Sequence, residues 1–224
     1  SEDDFTSAVD LPRATFNSHP WSLSGGGATD LAEELEQTTD ARLNDHAESI
    51  GITCFTLEEG VYIIPRHVVC RNGIPFESIR TMIVGGVVRD WLADECDPAV
   101  FPYDEKFTPI SCERSAPLFK YLWSFRTNLA NSRMFGNKTK VESGLKWYEY
   151  GRLTDNKLRT PLSIVFAEVA SHNHFVLDRG GHIFKQSAPI IKLDKDATED
   201  VFMVLLGFLN SSSACFWMKQ FSHQ

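Results

Sequence analysis

The sequence has no Cys-x-x-Cys pair, no clustered set of cysteines, no long apolar run, no nucleophile elbow and no surplus of positive charge. Cys54, Cys70, Cys96, Cys112 and Cys215 are odd in number and widely spaced, so neither a disulfide framework nor a zinc ribbon follows. A reducing, cytoplasmic setting is the expectation. No segment approaches the roughly 18–20 apolar residues of a membrane span, and the opening Ser1-Glu2-Asp3-Asp4-Phe5 has no basic region before an apolar one. A soluble chain with no membrane partner and no targeting address is expected. The Ser24-Gly25-Gly26-Gly27 run has neither a preceding strand nor a following Lys-Ser/Thr, which leaves a flexible lead into a helix rather than a phosphate loop. Without a Gly-x-Ser-x-Gly elbow or a spaced Cys/His pair, nothing marks a nucleophile and its base. With 22 Lys+Arg against 30 Asp+Glu, the net charge of −8 argues on average against an anionic partner.

That average conceals a division. Residues 1–105 carry a net −14, residues 106–192 a net +8, and residues 193–224 a net −2. Such asymmetry points to an anionic partner for the middle, or to a basic surface that complements the acidic one. The 16 Phe, 5 Trp and 5 Tyr supply large apolar anchors that a disordered chain would not have, so a packed core is expected.

The periodicity predicts a mixed α/β (α+β) fold, with a small twisted sheet, flanking helices and a long buried C-terminal helix. An acidic segment and helix would occupy 1–49. Asp30 and Glu33 have the capping-box form, and Leu31, Leu35 and Leu43 predict a helix over 30–43. The main domain would span 50–224. Ile52–Leu57 and Val61–Ile64 read as a hairpin about Glu58-Glu59-Gly60, and Met82–Val88 as a strand that Gly85-Gly86 bends or opens to a close neighbour. Leu118, Leu122, Phe125 and Leu129 predict one helix over 116–134, placing Arg126 and Arg133 nearly on one face, with Gly136 as its stop. Further strands are expected at Ser163–Ala170, Phe175–Asp178, Ile183–Lys185 and Ile190–Leu193, with Arg179-Gly180-Gly181 as a tight turn. The last helix is expected over 199–221.

Between Arg126 and Arg159, cations alternate with Trp147, Tyr148 and Tyr150. Lys and Arg neutralise phosphates, Arg can fork onto guanine, and aromatic rings stack on exposed bases. The competing reading is an ordinary basic surface over core aromatics. Ser171-His172-Asn173-His174 places two histidines on one strand face. A third ligand and an adjoining helix are missing for a metal nuclease, so hydrogen-bonding histidines beside a binding face are expected.

Several blocks, in order, closely resemble one family: Phe16-Asn-Ser-His-Pro-Trp-Ser-Leu-Ser-Gly-Gly-Gly-Ala28, Val88-Arg-Asp-Trp91, Phe101-Pro-Tyr103, Trp147-Tyr-Glu-Tyr150, Leu158-Arg-Thr-Pro-Leu-Ser163, His172-Asn-His-Phe-Val-Leu-Asp-Arg-Gly-Gly181 and Leu209-Asn-Ser-Ser-Ser-Ala-Cys-Phe-Trp-Met-Lys-Gln220. The family is PglX, the adenine-specific DNA methyltransferases of BREX phage-defence systems, akin to Eco57I-type methylases. Such enzymes need an Asn/Asp-Pro-Pro-Tyr/Phe loop for the flipped adenine and a glycine-bearing strand end for S-adenosylmethionine. This sequence has no Pro-Pro and no Gly-x-Gly between strand and helix. The family also continues beyond the position of Gln224.

The resemblance therefore implies a part rather than the whole: the region downstream of the catalytic domain that includes target recognition, inactive alone and without a cofactor of its own. The Leu209-Asn210-Ser211 block resembles a pattern near the end of recognition domains in Type I specificity subunits and Type II restriction methylases. There it belongs to a helix packed on the recognition sheet. The expected partners are double-stranded DNA, the catalytic domain of the same enzyme, other BREX proteins and phage DNA-mimic inhibitors. The DNA-facing candidates are Arg126, Arg133, Lys138, Lys140, Lys146, Tyr148, Arg152, Lys157, Arg159, His172, His174, Arg179 and Lys185. An interaction module docking on the catalytic domain or on other defence proteins is the alternative. A metal nuclease built on His172 and His174 is the third.

Overall fold

A computed structural model describes residue 10, residues 13–17, residue 21, and residues 27–89, 91–93, 96–111, 113 and 116–221. Gly25 and Gly26 of the tri-glycine run lie outside the described residues. The first helix, α1 (Ala28–Thr38), is followed by a one-turn helix α2 (Leu43–His46) and strand β1 (Ala47–Gly51). The expected single helix over 30–43 is thus two. Thr39 leaves the helix in an extended conformation, and Arg42 N donates to Asp45 Oδ2 at 2.7 Å to start the second. Asp30 caps nothing and sits in the first turn of α1.

Strand β2 (Cys54–Phe55) comes next, then the short helices α3 (Glu59–Tyr62) and α4 (Arg66–Arg71). Val61–Ile64 is therefore no strand of a hairpin. Its first half is a helical turn that sends Tyr62 inward, where Tyr62 Oη donates to Tyr148 O at 3.0 Å. Strand β3 (Ile79–Ile83) ends in a 3-10 turn at Gly85–Val87, and β4 (Val88–Arg89), β5 (Leu92–Ala93) and β6 (Pro98–Val100) follow. The helix expected over 116–134 is divided into α5 (Pro117–Trp123) and α6 (Arg126–Asn131). Arg126 opens α6 and Arg133 lies beyond its end, so the two share no helical face. Strand β7 (Arg152–Leu153) then leads to β8 (Ser163–Phe166), β9 (Phe175–Asp178), β10 (His182–Phe184) and β11 (Ile190–Leu193). Two of the expected strands, Phe175–Asp178 and Ile190–Leu193, have the predicted bounds.

The C-terminal helical region is broken in two, α7 (Glu199–Leu209) and α8 (Ser212–Phe221), bent by 61°. Asn210 explains the break. Its side chain accepts from Phe175 N at 3.0 Å and donates to Phe175 O at 2.9 Å, while Asn173 Nδ2 donates to Leu209 O at 2.7 Å. Because β9 is an edge strand, this amide takes the place of a neighbouring strand's backbone. The Leu209-Asn210-Ser211 block is structural here. Among the described residues no single helix is long and apolar enough to cross a membrane.

The architecture is mixed α/β. One antiparallel sheet runs β1-β11-β8-β9, and a second runs β10-β3-β6, with β10 parallel to β3. The Arg179-Gly180-Gly181 turn, with both glycines at positive φ, joins β9 to β10 across these two sheets rather than closing a hairpin. Alternation along the strands builds three cores in series. Met82 and Ile183 face a helical and aromatic core holding Tyr62, Phe101, Leu122, Leu129 and Tyr150; Ile83 and Phe184 face the opposite way. Val165, Val176 and Ile190 meet them between the two sheets, whereas Ile164, Phe175, Ile191 and Leu193 turn outward to Phe202, Leu206 and Leu209 of α7. Gly85 permits the closest approach in this stack: a Cβ there would stand 2.2 Å from Ser187 O.

Candidate nucleic-acid interface

After α6 the chain forms a small hairpin. Lys140 N donates to Ser132 O at 2.9 Å, Arg133 bridges Thr139, and Met134 N donates to Lys138 O at 2.9 Å. Asn137 N donates to Met134 O at 3.2 Å, which closes a turn with Phe135 and Gly136 at its centre. Gly136 has φ 92 and Asn137 φ 64, so this residue pair suits the left-handed backbone that the tip requires. Gly136 is therefore a hairpin residue and not the stop of a helix.

The base of the hairpin is fixed from inside. Ser132 Oγ donates to Glu58 Oε1 at 2.7 Å, and Asn128 Nδ2 donates to Glu58 Oε2 at 3.1 Å. The Lys140 side chain is 0% exposed, and its Nζ lies 3.5 Å from Tyr62 Oη and 5.6 Å from that ring's centre. Burial lowers its pKa to about 8, against the opposing attraction of Glu58 and Glu149. Tyr148 is also buried, donating from Oη to Ile110 O at 2.7 Å. These two candidates must be taken out of the DNA-facing set, because the core already holds their polar ends.

The remaining candidates divide into groups. At the hairpin, Arg133 and Lys138 are exposed on either side of Phe135, which is 93% exposed. The Phe135 ring stacks on Phe55, 6.0 Å between centroids and 25° between planes, and Phe55 pairs in the β2–β7 ladder with exposed Arg152. Near the start of α6, Arg126 lies 4.9 Å over Trp123, which meets Trp147 edge-on. Lys146 is exposed and 5.8 Å over Tyr148. None of these five cations, Arg126, Arg133, Lys138, Lys146 and Arg152, is in a carboxylate ion pair among the described residues. Lys157 is half-buried, and burial and then the nearby Arg152 lower its pKa.

Others are already engaged. Arg159 pairs with Asp155 at 2.5 Å, Arg179 with Glu199 at 2.7 Å, and Lys185 with Glu59 at 2.8 Å. His172 and His174 line an open cleft of about 850 Å³ beside Ile50, Phe166 and Met218, and His172 Nδ1 lies 3.0 Å from Ser171 Oγ. Arg179 follows the other end of β9, five residues from His174 and so about 16 Å away at some 3.3 Å per residue. The structure thus does not gather all thirteen candidates at one place. It gathers the hairpin cations and Arg152. Sequence reasoning passed over Phe135 and Asn137, although an aromatic residue inside the Met134-Phe135-Gly136-Asn137 turn was a usable signal.

A glycine pair does follow strand β3, but it does not suit S-adenosylmethionine. Gly85 is filled by Ser187, and a 3-10 turn follows instead of a helix.

No protein-family model matches the sequence. A solved structure of the Type IIL restriction-modification enzyme MmeI in complex with DNA is similar in fold over 83% of this chain and 23% of that one, with a TM-score of 0.51 and 11% identity. The adenine-specific methyltransferase PglX of Streptomyces coelicolor is 34% identical over 221 residues, 98% of this chain. The chain spans only 18% of that protein's length. It is, along nearly its whole length, similar to a segment of an adenine-specific methyltransferase of the PglX kind.

Proposed function

We propose that the chain is the double-stranded DNA recognition module of a site-specific adenine-N6 methyltransferase in a BREX phage-defence system, non-catalytic in itself. The similarity to PglX supports the enzyme class. The observation that carries the recognition role is the set of exposed cations, Arg126, Arg133, Lys138, Lys146 and Arg152, none of them in a close carboxylate ion pair among the described residues of an otherwise acidic protein. Phosphate contacts by these groups would set register, and side chains at the hairpin would read base edges. S-adenosylmethionine would be held elsewhere in the enzyme. The enzyme would work in the cytoplasm, where its DNA is, and a phage protein that mimics the charge of DNA would compete for the same face. Contacts with other BREX proteins are a further proposal.

A second surface favours docking on the catalytic domain. Val201, Met203, Val204 and Phe208 of α7 are exposed although all are apolar, with Val204 76% and Phe208 63% exposed. Docking there and DNA recognition at the hairpin use different surfaces and are compatible.

The test is an exchange. The stretch of Streptomyces coelicolor PglX that matches this chain is replaced by it, and the methylated positions are mapped in cells making either protein. The methylated sequence is expected to change with the exchanged stretch. An active hybrid that still marks the original sequence would refute the recognition role.

A further inference from the structure

We propose that Phe135 is a wedge: it enters between base pairs of the bound duplex while Arg133 and Lys138 hold the phosphates on either side. This rests on the recognition role proposed above and specifies how the duplex is gripped. Phe135 is the most exposed of the large apolar side chains described, and it is at the tip of a turn, where a single apolar residue gains nothing from folding. Isolated surface apolar residues are common, so exposure by itself decides little. Three further features give it direction.

The hairpin is held stiffly at its base. Ser132 and Lys140 are buried, Glu58 takes hydrogen bonds from Ser132 and Asn128, and Tyr62 lies beside Lys140. A wedge must not fold back when pushed against stacked bases, and a buried polar anchor resists that. The ring also runs nearly parallel to that of Phe55, 6.0 Å between centroids, which borders it on one side and leaves it open to a base on the other. Lastly, the flanking side chains are cationic. Arg133 and Lys138 adjoin the tip, with Arg152 opposite Phe55 in the ladder. Besides Glu58 at the base, Glu142 is an acid near the hairpin; it accepts from Thr139 N and Oγ1 at 2.8 and 2.9 Å and is near enough for Arg133 to help lower its pKa. It offsets Arg133 in part and leaves Lys138 and Arg152. Apolar side chains inserted at a base step unstack it and kink the duplex, and nearby cations retain the bent backbone.

Duplexes are first enriched from a randomised pool by retention on the full 224-residue chain. Affinity is then measured across a series of salt concentrations, and bending by energy transfer between dyes at the duplex ends. Phe135→Ala is expected to weaken binding about 10- to 100-fold, with the log–log salt slope unchanged and the bend lost. Phe135→Trp should keep both affinity and bend. Arg133→Ala and Lys138→Ala should each lower the slope by about 1. Because Phe135 touches little but Phe55, circular dichroism of Phe135→Ala should match the parent. If Phe135→Ala binds and bends as the parent does, the wedge is overturned and recognition stands. A fall in slope with Phe135→Ala would also overturn it, since the ring would then be positioning cations. If the unaltered chain retains no duplex even at low salt, the recognition role fails together with the wedge.

Discussion

Lys140 and Lys192 show why charge alone misleads at the level of a single residue. Both belong to the basic middle that drew attention to DNA, yet both are buried. Lys192 Nζ donates to Thr160 O at 2.7 Å, to Leu162 O and to Ser163 Oγ at 3.1 Å, tying the approach to β8 onto β11. Burial lowers each pKa to about 8 from 10.5. Below pH 8 both groups are charged in the folded and unfolded chain, and the cost of burying charge is present in full. Between about 8 and 10.5 the unfolded chain keeps protons that the folded chain has lost, so stability rises with pH. For Lys140 the shift is worth on the order of 3 kcal/mol. Above about 10 the trend reverses, because burial raises the pKa of Tyr62, Tyr103 and Tyr150 and only their unfolded forms ionise. The thermal midpoint followed by circular dichroism should therefore climb by several degrees from pH 7.5 to 9.5 and then fall. Lys140→Met should flatten part of the climb. A midpoint that declines steadily over that interval would contradict the burial of these lysines.

At the scale of elements, the strands that alternate between two cores were legible in the sequence, as the bounds of β9 and β11 show. Their apolar residues follow the backbone period, which is local information. The breaks were not legible. The α7–α8 bend depends on Asn210 meeting Phe175, 35 positions away, and nothing local distinguishes an edge-sealing Asn from one inside a helix. Val61–Ile64 failed similarly, since a short apolar run suits a buried helical turn as well as a strand. The Gly85-Gly86 signal succeeded in kind: both a bend and a close neighbour are present, although the neighbour, Ser187, could not be named. The candidate site was legible as a basic region and not as a surface, because burial alone separates Lys140 and Tyr148 from Arg133 and Lys138. Gly85→Ala would force the Ser187 backbone away and disturb the hydrogen bond from Gly85 N to Ser187 Oγ at 3.1 Å. A loss of roughly 1–3 kcal/mol in denaturant unfolding is expected. An unchanged midpoint would mean the 83–88 turn can move without cost.

For the whole molecule, polarity is distributed by surface. The exposed apolar residues of α7 lie on the outside of the third core, whereas the hairpin cations adjoin the first, with both sheets between. Substituting Val204 and Phe208 with Lys should weaken capture by the catalytic part of the enzyme in a pull-down, leaving duplex binding intact. Loss of duplex binding in that double variant, with the fold retained, would show that the two surfaces are not independent.

The first long helix and first strand lie beside the last ones. Helix α1 meets α8, with Trp217 Nε1 donating to Glu36 Oε1 at 2.7 Å, and β1 pairs with β11. Elements far apart in sequence that lie side by side, as residues 28–51 and 190–221 do, let the fold between them close on itself without the rest of a longer chain having to span it. On the recognition role proposed above, exchanging one such stretch for another would alter what an enzyme reads while leaving its chemistry in place.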